Sequence, residues 1–512
     1  MNAPPSHARH SSPLQALRRA AFERLEVYLS PQHLDEAMRS AEKLYAALPH
    51  HDELPRNVVL VAYGGGKDSA YTLAFVRCIQ LMLSFLHDGT FRLRVVTNRH
   101  AGMPRAVMEN IHRSYLALAL YADPDCEPLL IDGNEVKPFK VDEPLPAPLA
   151  RRNRDDILMT GHRTFANGRP TFCNACNLSV VNSYGLAASY GGGVDLIITG
   201  DSRREQRAYL VWVRRLAQQF GLEPGEPQQT GFKRFLSTMD NISRAYFGDI
   251  HGHDVAAVHE RRIATGVKDG LRFFSIYDDT GYSAGGHWEL LIQHLGFRFD
   301  EIAFSFSESD CGNPALMAHL RGLKLERVYG RTYVEGITEY VQFALGLMRK
   351  KDFPPQLIEE MQARYMGDDA APRMRAAMDA FALEAHGLSE EQLVCMVYSP
   401  FASRGQHLER YLSREHPRAG FTAREAHELL RDDAPVLPGG AAHRLAGELE
   451  RMSGLSIEQL RAVYAVPLHR PEPDAQGDNL LDAILARDPH KATIATRQSL
   501  DGPPVDEIIS GR

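Results

Sequence analysis

The chain has 512 residues, of which 44% are hydrophobic and 24% charged, a balance typical of a globular protein with two or three domains of about 150 residues each. Its formal net charge of −7 excludes the overall basic surface of a dedicated nucleic-acid-binding protein. No apolar run reaches the roughly 18 residues of a membrane span, and no secretory signal opens the chain. Six cysteines are too few for a disulfide scaffold, so we expect a cytoplasmic protein.

The first 54 residues are predicted to form a helical segment that precedes the main domain. Residues 1–13 have the composition of a disordered start. The stretch from about Leu14 to Leu48 has an amphipathic helical pattern.

A glycine-rich turn between a strand and a helix is the most informative feature of the chain. Residues 57–77 read NVVLVAYGGGKDSAYTLAFVR, in which Val58–Ala62 has the length of a buried strand. Three glycines let the backbone bring its N–H groups against an anion, and the next helix places its positive end there. The candidate phosphate-binding residues are Gly64, Gly65, Gly66, Lys67, Asp68 and Ser69. An ordinary glycine turn is the alternative.

Two charged residues in this turn suggest what it does with a phosphate. Lys67 adds a positive point charge, and Asp68 is a ligand type that Mg²⁺ prefers. The spacing is too short for the GxxxxGK(S/T) phosphate loop. The turn resembles instead the SGGxDS loop of the PP-loop ATP pyrophosphatases, with Gly64 in place of the first serine. That resemblance implies a HUP-like fold, ATP and Mg²⁺ as cofactors, and Lys67 and Asp68 as catalytic residues.

Further strands and helices follow in alternation, which predicts an α/β domain over residues 55–330 with a doubly wound parallel sheet. The strand candidates are Arg92–Thr97, Pro128–Asp132, Val194–Thr199 and Glu301–Phe306, with helices predicted over Arg105–Leu120 and about Gly285–Leu295. Ligands bind at the carboxyl ends of parallel strands. Thr97, Gly200 and Asp201 lie at such ends and are predicted to contact the nucleotide.

A CxxC pair precedes the strand at 194–199. Cys173 and Cys176 fit a zinc half-site, a redox pair, ligands of an iron–sulfur cluster, or two structural thiols. No second CxxC supplies the other ligands of a structural zinc site, and Cys311 is the candidate third thiolate. The other cysteines, Cys78, Cys126 and Cys395, fit apolar core positions.

The order of these motifs resembles the PP-loop tRNA thiolation enzymes, in which a CxxC, a helix, a strand and a TGHNxDD-type turn follow the ATP loop. Here Asp201 and Ser202 replace the usual His and Asn of that turn. The resemblance implies catalytic roles for Cys173 and Cys176, and a 4Fe–4S cluster held by these two cysteines and Cys311.

Weaker polar candidates lie between this region and the C-terminal third. Asp278 and Asp279 suit either a substrate contact or a turn. His287 suits either an acid–base group or a structural role.

The C-terminal third is predicted to be helical over 331–490 and to end in a flexible tail over 491–512. Gly-Leu-Ser recurs at 387–389 and 454–456, and each copy is followed after one residue by Glu-Gln-Leu. The pattern predicts two helices capped by Ser389 and Ser456, with Gln392 and Gln459 completing capping boxes. It indicates either a good helix start used twice or a duplicated module that docks a partner or closes over the site.

Together these patterns predict an ATP-dependent, AMP-forming enzyme that adenylates a carbonyl or amide oxygen and replaces it with sulfur. The alternatives are an amidotransferase or ligase that forms a C–N bond, and a nucleotide-binding scaffold protein. The expected partners are a small-molecule or carrier-bound substrate and a sulfur or ammonia donor protein. The acidic balance disfavours tRNA, and no membrane partner is expected.

Overall fold

The computed structural model describes residues 12–87, 89–198, 203–224, 231–252, 254–276, 287–302, 311–350, 353, 355–365, 369–469, 479–486 and 491–510. A sheet of six strands organises the first half of these residues. The strands are β1 (Val58–Ala62), β2 (Arg92–Arg99), β3 (Cys126–Asp132), β4 (Glu135–Pro138), β5 (Leu196–Ile198) and β6 (Arg272–Phe274). Their order is β4-β3-β2-β1-β5-β6. All neighbours are parallel except β3 and β4, so the predicted α/β class with a mostly parallel sheet is confirmed.

Helices cover both faces of the sheet because its central strand is apolar on both sides. Val58 and Leu60 of β1 belong to one hydrophobic cluster, whereas Val59 and Val61 belong to another, as the alternation of side chains along a strand requires. The helices of this half are α1 (Pro13–Glu26), α2 (Pro31–Ala47), α3 (Lys67–Leu86), α4 (Arg105–Ala117), α5 (Ala147–Gly161), α6 (Asn174–Ser189), α7 (Arg203–Phe220), α8 (Gly231–His251) and α9 (Val255–Glu260). Helices α1 to α4 contribute to the second cluster, and α5 to α8 contribute to the first.

This arrangement gives the sheet a point at which the winding direction reverses. From β1 the chain winds through β2 to β3, with α3 and α4 on one face. It then returns past α5 and α6 on the other face and adds β5 on the opposite side of β1. The carboxyl ends of β1 and β5 therefore flank the crevice in which α/β sheets of this kind bind ligands.

The strands at the centre of the sheet were easier to predict than those at its edges. The bounds of β1 match the prediction, and β2 and β3 each extend two residues beyond it. The sequence did not reveal β4 and β6, because both are short and partly exposed and lack an apolar run. Most of the predicted strand Glu301–Phe306 lies outside the described residues. Of the predicted helix at 285–295, Leu290–His294 forms a wide helical turn.

Helix α3 is long and apolar enough to cross a membrane by length and composition, but most of it is buried inside the protein. It packs against α1 and α2 and carries core residues such as Leu73, Phe75 and Cys78. Its hydrophobicity is thus accounted for by its position in the second cluster.

The C-terminal half is helical, as predicted, and shares a core with the sheet. Its helices are α10 (Asn313–Leu323), α11 (Tyr333–Lys350), α12 (Pro355–Tyr365), α13 (Ala370–His386), α14 (Glu390–Tyr398), α15 (Ala402–Gly405), α16 (Leu408–Glu415), α17 (Ala423–Arg431), α18 (Ala441–Ser453), α19 (Ile457–Ala465) and α20 (Leu480–Ala486). Tyr340, Met396 and Leu460 belong to the same cluster as Leu60 of β1. How the chain divides into domains stays a prediction.

The repeated Gly-Leu-Ser motif forms two similar helix junctions. Ser389 and Ser456 cap α14 and α19, and the predicted capping boxes with Gln392 and Gln459 are both present. The preceding α13 and α18 end at glycines with φ values of +63° and +79°, which a glycine adopts without strain. Helices α13 and α14 contact α5, and α14 contacts α18. The two junctions are therefore built into the protein core.

The last described residues correct the expectation of a flexible tail. Strands β7 (Lys491–Arg497) and β8 (Pro504–Ser510) form an antiparallel hairpin. Glu507 of β8 pairs with Arg321 of α10 and accepts a hydrogen bond from the Tyr329 hydroxyl, and Ile508 and Ile509 are buried. The composition of this segment suggested disorder, but a long-range ion pair and apolar burial hold it to α10.

A network of buried charged side chains connects α1 to α3 and to the turn before β3. Arg18 of α1 donates two hydrogen bonds, of 2.9 and 2.8 Å, to the Asp123 carboxylate, and Arg77 of α3 donates another of 2.9 Å. Burial alone would raise the pKa of Asp123, but the hydrogen bond from Arg18 and the charge of Arg77 outweigh it and lower the pKa to about 2. The Asp123 carboxylate therefore joins α1, α3 and the turn before β3.

We expect Asp123→Asn to lower the free energy of unfolding by about 3–5 kcal/mol, because it leaves buried guanidinium groups without their shared counter-charge. A depressed pKa in the folded state means that the carboxylate stabilises the fold above its usual pKa of 3.8. This contribution is lost as the pH falls towards 2. Chemical denaturation followed by circular dichroism between pH 7 and pH 2 measures both effects.

The matched control is Asp142→Asn, which removes the carboxylate of an exposed pair with Arg105. It should leave the free energy of unfolding nearly unchanged. Equal losses in the two variants would contradict the explanation by burial.

Candidate functional site

The glycine-rich turn lies at the reversal point of the sheet, between β1 and α3. Gly65 has a φ of +84°, and a Cβ atom there would lie 2.8 Å from Cγ1 of Val107 in α4. Gly66 is the N-cap residue of α3. Because glycine has no side chain, the first N–H groups of the helix receive no side-chain cap from it. The Ser69 hydroxyl donates to the Gly66 carbonyl oxygen at 3.0 Å. The turn therefore packs closely against α4. It leads into the N-terminal end of α3, where backbone N–H groups favour an anion.

Lys67 and Asp68 place opposite charges at this helix end. The Lys67 ammonium pairs with the Asp68 carboxylate and lies 5.1 Å from the centre of the Phe353 ring. The Lys67 side chain is buried, whereas the Asp68 side chain is 26% exposed. The ammonium is therefore held in place by its surroundings, and the carboxylate remains accessible to a cation from solvent.

His287 lies beside the same turn. Its ring stacks on Tyr71 of α3 with centroids 4.0 Å apart, and it lies 4.8 Å from the His33 ring of α2. Burial and the positive field of His33 and Lys67 lower the pKa of His287 to about 4, so the ring is neutral at neutral pH. The sequence marked His287 as a weak candidate, because nothing in it showed that residue 287 approaches the turn.

The other predicted nucleotide contacts have different outcomes. Thr97 is buried at the carboxyl end of β2, and its hydroxyl donates to the Tyr63 carbonyl oxygen at 2.8 Å. It thus supports the residue before the turn, and direct contact with a nucleotide stays a prediction. Gly200, Asp201 and Ser202 lie outside the described residues, as do Asp278 and Asp279.

The CxxC pair lies at the start of α6. A wide helical turn over Arg169–Cys173 leads into this helix, and Cys176 is in its first turn. The chain runs from the end of α6 to the amino end of β5. Helix α6 therefore begins near the carboxyl ends of the strands, where the glycine-rich turn also lies. Cys173 packs against the first hydrophobic cluster, and Cys176 lines a cavity of about 60 Å³.

Cys311 acts electrostatically on the same tyrosine as Cys173, although it lies far along the chain from the CxxC pair. Burial raises the pKa of Tyr340 in α11, and both Cys173 and Cys311 contribute to that increase. The two cysteines therefore lie near the same buried tyrosine. Within the described residues, however, no three His, Cys, Asp or Glu side chains are arranged to hold a metal ion.

The cavity beside Cys176 has polar walls supplied by both halves of the chain. Asp156 of α5 accepts hydrogen bonds from His251 at 2.7 Å and Arg261 at 2.8 Å. Burial would raise the pKa of this carboxyl, but the charge of Arg261 and the hydrogen bond from His251 lower it. His100 follows β2, and His386 ends α13; both line the cavity. No spacing in the sequence linked these residues to the CxxC pair.

Comparison with known proteins gives no family assignment. A scan against protein-family models finds no match to this chain, and a search of curated proteins finds no similar sequence.

We expect Gly65→Ala to lower the free energy of unfolding by roughly 1–2 kcal/mol or more, because an L-residue with positive φ is strained and its methyl group would press on Val107. Gly248→Ala in α8 is the matched control. A Cβ at Gly248 meets no atom within 4 Å, and alanine favours a helix. Denaturant titrations of both variants measure the difference, and a neutral Gly65→Ala would contradict the close packing of the turn.

Proposed function

We propose that this protein is an AMP-forming enzyme of the ATP pyrophosphatase type, with a PP-loop domain of the HUP-like class. The position of the glycine-rich turn carries the proposal. The turn joins the central strand to α3 at the reversal point of the sheet. Lys67 and Asp68 lie at the N-terminal end of that helix, where the Lys67 side chain is buried and the Asp68 side chain is partly exposed. A triphosphate needs this combination of backbone N–H groups, a fixed cation and a carboxylate that can hold Mg²⁺.

The reaction follows from the charges that develop. A carbonyl or amide oxygen of the substrate attacks the α-phosphorus of ATP, and the bond to the β-phosphate oxygen breaks to release pyrophosphate. The N-terminal end of α3 and the Lys67 ammonium stabilise the negative charge that accumulates on the leaving group. Mg²⁺ held by Asp68 would neutralise further charge on the phosphates. The substrate oxygen, now bonded to AMP, is a good leaving group.

The second step replaces this oxygen, and the thiols favour sulfur as the incoming atom. A sulfur nucleophile attacks the adenylated carbon, and AMP departs with the original oxygen. Cys173 and Cys176 lie at the start of α6, near the carboxyl ends of the strands, where the glycine-rich turn also lies. An amine would attack without help from a thiol, so two cysteines at this place support sulfur transfer over amide synthesis.

The three candidate cluster ligands do not form a metal-binding group within the described residues. Cys173 and Cys311 lie near Tyr340, but the described residues contain no group of three ligating side chains that could hold a metal. No step of the proposed reaction passes through a cluster. Its presence stays a prediction for iron analysis.

The first test is the site of ATP cleavage. We expect ATP labelled at the α-phosphate to give AMP and unlabelled pyrophosphate, and Lys67→Ala to reduce the rate at least about 100-fold, as loss of a charge-stabilising group does. Chromatography of the labelled products measures both. Lys233→Ala is the matched control, since Lys233 lies on α8 and pairs with Asp269. Release of ADP and phosphate would contradict the proposal.

The second test concerns the thiols. We expect Cys173→Ser and Cys176→Ser each to stop incorporation of sulfur while the fold is kept, because the thiols serve the second step. Mass spectrometry of the product reports the exchange of oxygen for sulfur, and circular dichroism reports the fold. Cys78→Ala in the core of α3 is the control for loss of a thiol.

Iron and sulfide analysis of the same anaerobic preparations decides about the cluster. Iron that disappears with any one of Cys173, Cys176 or Cys311, but not with Cys78, would establish it. A folded double variant that couples ATP cleavage to incorporation of ammonia would favour the ligase alternative.

A further inference from the structure

Two contacts of different kinds hold the Lys67 ammonium at the start of α3. It pairs with the Asp68 carboxylate, and it lies over the Phe353 ring, 5.1 Å from the ring centroid. The Lys67 side chain is 3% exposed, and Phe353 is 4% exposed. Because the attraction of a cation to an aromatic face is strongest where water is excluded, the contact with Phe353 is a substantial one.

Phe353 belongs to the helical half and is fixed by contacts outside α3. It lies between α11 and α12, and its backbone N–H donates to the Met348 carbonyl oxygen at 3.1 Å. Its ring meets the Trp288 ring edge to face, with centroids 6.0 Å apart. Trp288 in turn packs against both hydrophobic clusters. The ring therefore has a fixed position from which it can hold the flexible lysine side chain.

The two contacts differ in what they do to the charge of Lys67. A carboxylate neutralises the ammonium, and Asp68 is also the proposed ligand of Mg²⁺, so a metal ion bound there would weaken its pull on Lys67. An aromatic ring attracts the ammonium through its quadrupole and has no net charge. No second carboxylate pairs with Lys67 in the described part of the chain. Phe353 is thus the contact that holds Lys67 and leaves its charge available to a phosphate.

We propose that Phe353 is a positioning residue for Lys67, whose ammonium its ring holds at the N-terminal end of α3 for contact with the departing pyrophosphate. The inference rests on the proposed function, because it assigns a residue of the helical half to the charge stabilisation of the first step. The alternative is that Phe353 only fills space in the core.

Three changes at position 353 separate the aromatic face from the volume of the side chain. Phe353→Leu removes the ring but stays apolar, Phe353→Tyr keeps the ring, and 3,4,5-trifluorophenylalanine keeps the shape while fluorine withdraws electrons from the face. We expect kcat for AMP formation to fall about 10-fold with leucine and with the fluorinated ring, and to stay within about threefold with tyrosine. KM for ATP should change little, because Lys67 acts on charge that develops in the transition state.

A side chain that only fills space predicts the opposite order. Leucine and the fluorinated ring would then be tolerated, whereas tyrosine would lose activity because it adds a hydroxyl to an apolar site. Unchanged kcat with the fluorinated ring would therefore overturn the inference.

Phe297 is the matched control, because it is equally buried, at 4% exposure, and contacts Phe299 with ring centroids 5.3 Å apart. Within the described ranges no cation lies over its ring, so leucine or the fluorinated ring at position 297 should leave kcat unchanged. Thermal unfolding of every variant reports the fold. Equal losses of kcat at positions 353 and 297 would contradict a specific role for Phe353.

Chemical labelling of Lys67 tests the contact without ATP. We expect acetic anhydride, followed by peptide mass spectrometry, to label Lys67 several-fold faster with leucine or the fluorinated ring at position 353, because the released side chain reaches solvent more often. Formation of AMP with kcat and labelling both unchanged by the fluorinated ring removes the positioning role alone. Release of ADP with faster labelling removes the proposed reaction alone.

Discussion

Burial of β1 on both faces is the constraint on which the rest of the structure depends. Four of its five residues are fully enclosed, so the chain must supply helices on each side and strands at each edge. With both faces and both edges covered, β1 is open only at its two ends. Its carboxyl end leads into the turn at Gly65, and this turn packs closely against α4 on one side.

The position of α6 depends on buried polar contacts along its length. Arg94 of β2 donates to the carbonyl oxygens of Ala187 and Tyr190 at the end of the helix, at 2.9 and 2.8 Å. A cation at a helix C-terminus is favoured by the helix dipole. In the middle of the helix, Asn182 donates to the carbonyl oxygen of Gly133 at 3.3 Å. These contacts fix the helix axis, and with it the place of Cys176 in the first turn.

Local patterns were sufficient for the features that depend on neighbouring residues. The bounds of β1 and the capping boxes at Ser389 and Ser456 were predicted correctly, because each depends on residues within a few positions. The hairpin at 491–510 was missed because a partner distant in the chain, Arg321, stabilises it. His386 was missed for the same reason, since only the fold brings it to the wall of the cavity beside Cys176.

The C-terminal helices contribute directly to the candidate site, although the motifs that suggested a function end near residue 330. Phe353 lies against the Lys67 ammonium, Tyr340 lies near Cys173 and Cys311, and His386 completes the cavity. Each contact joins a residue of the helical half to one of the predicted chemical groups. A chain that ended at residue 330 would keep the glycine-rich turn and the CxxC pair but would lack Phe353 beside Lys67 and His386 in the cavity wall. Because charge stabilisation and a soft nucleophile both gain from exclusion of water, the helical half is part of the site that the first half outlines.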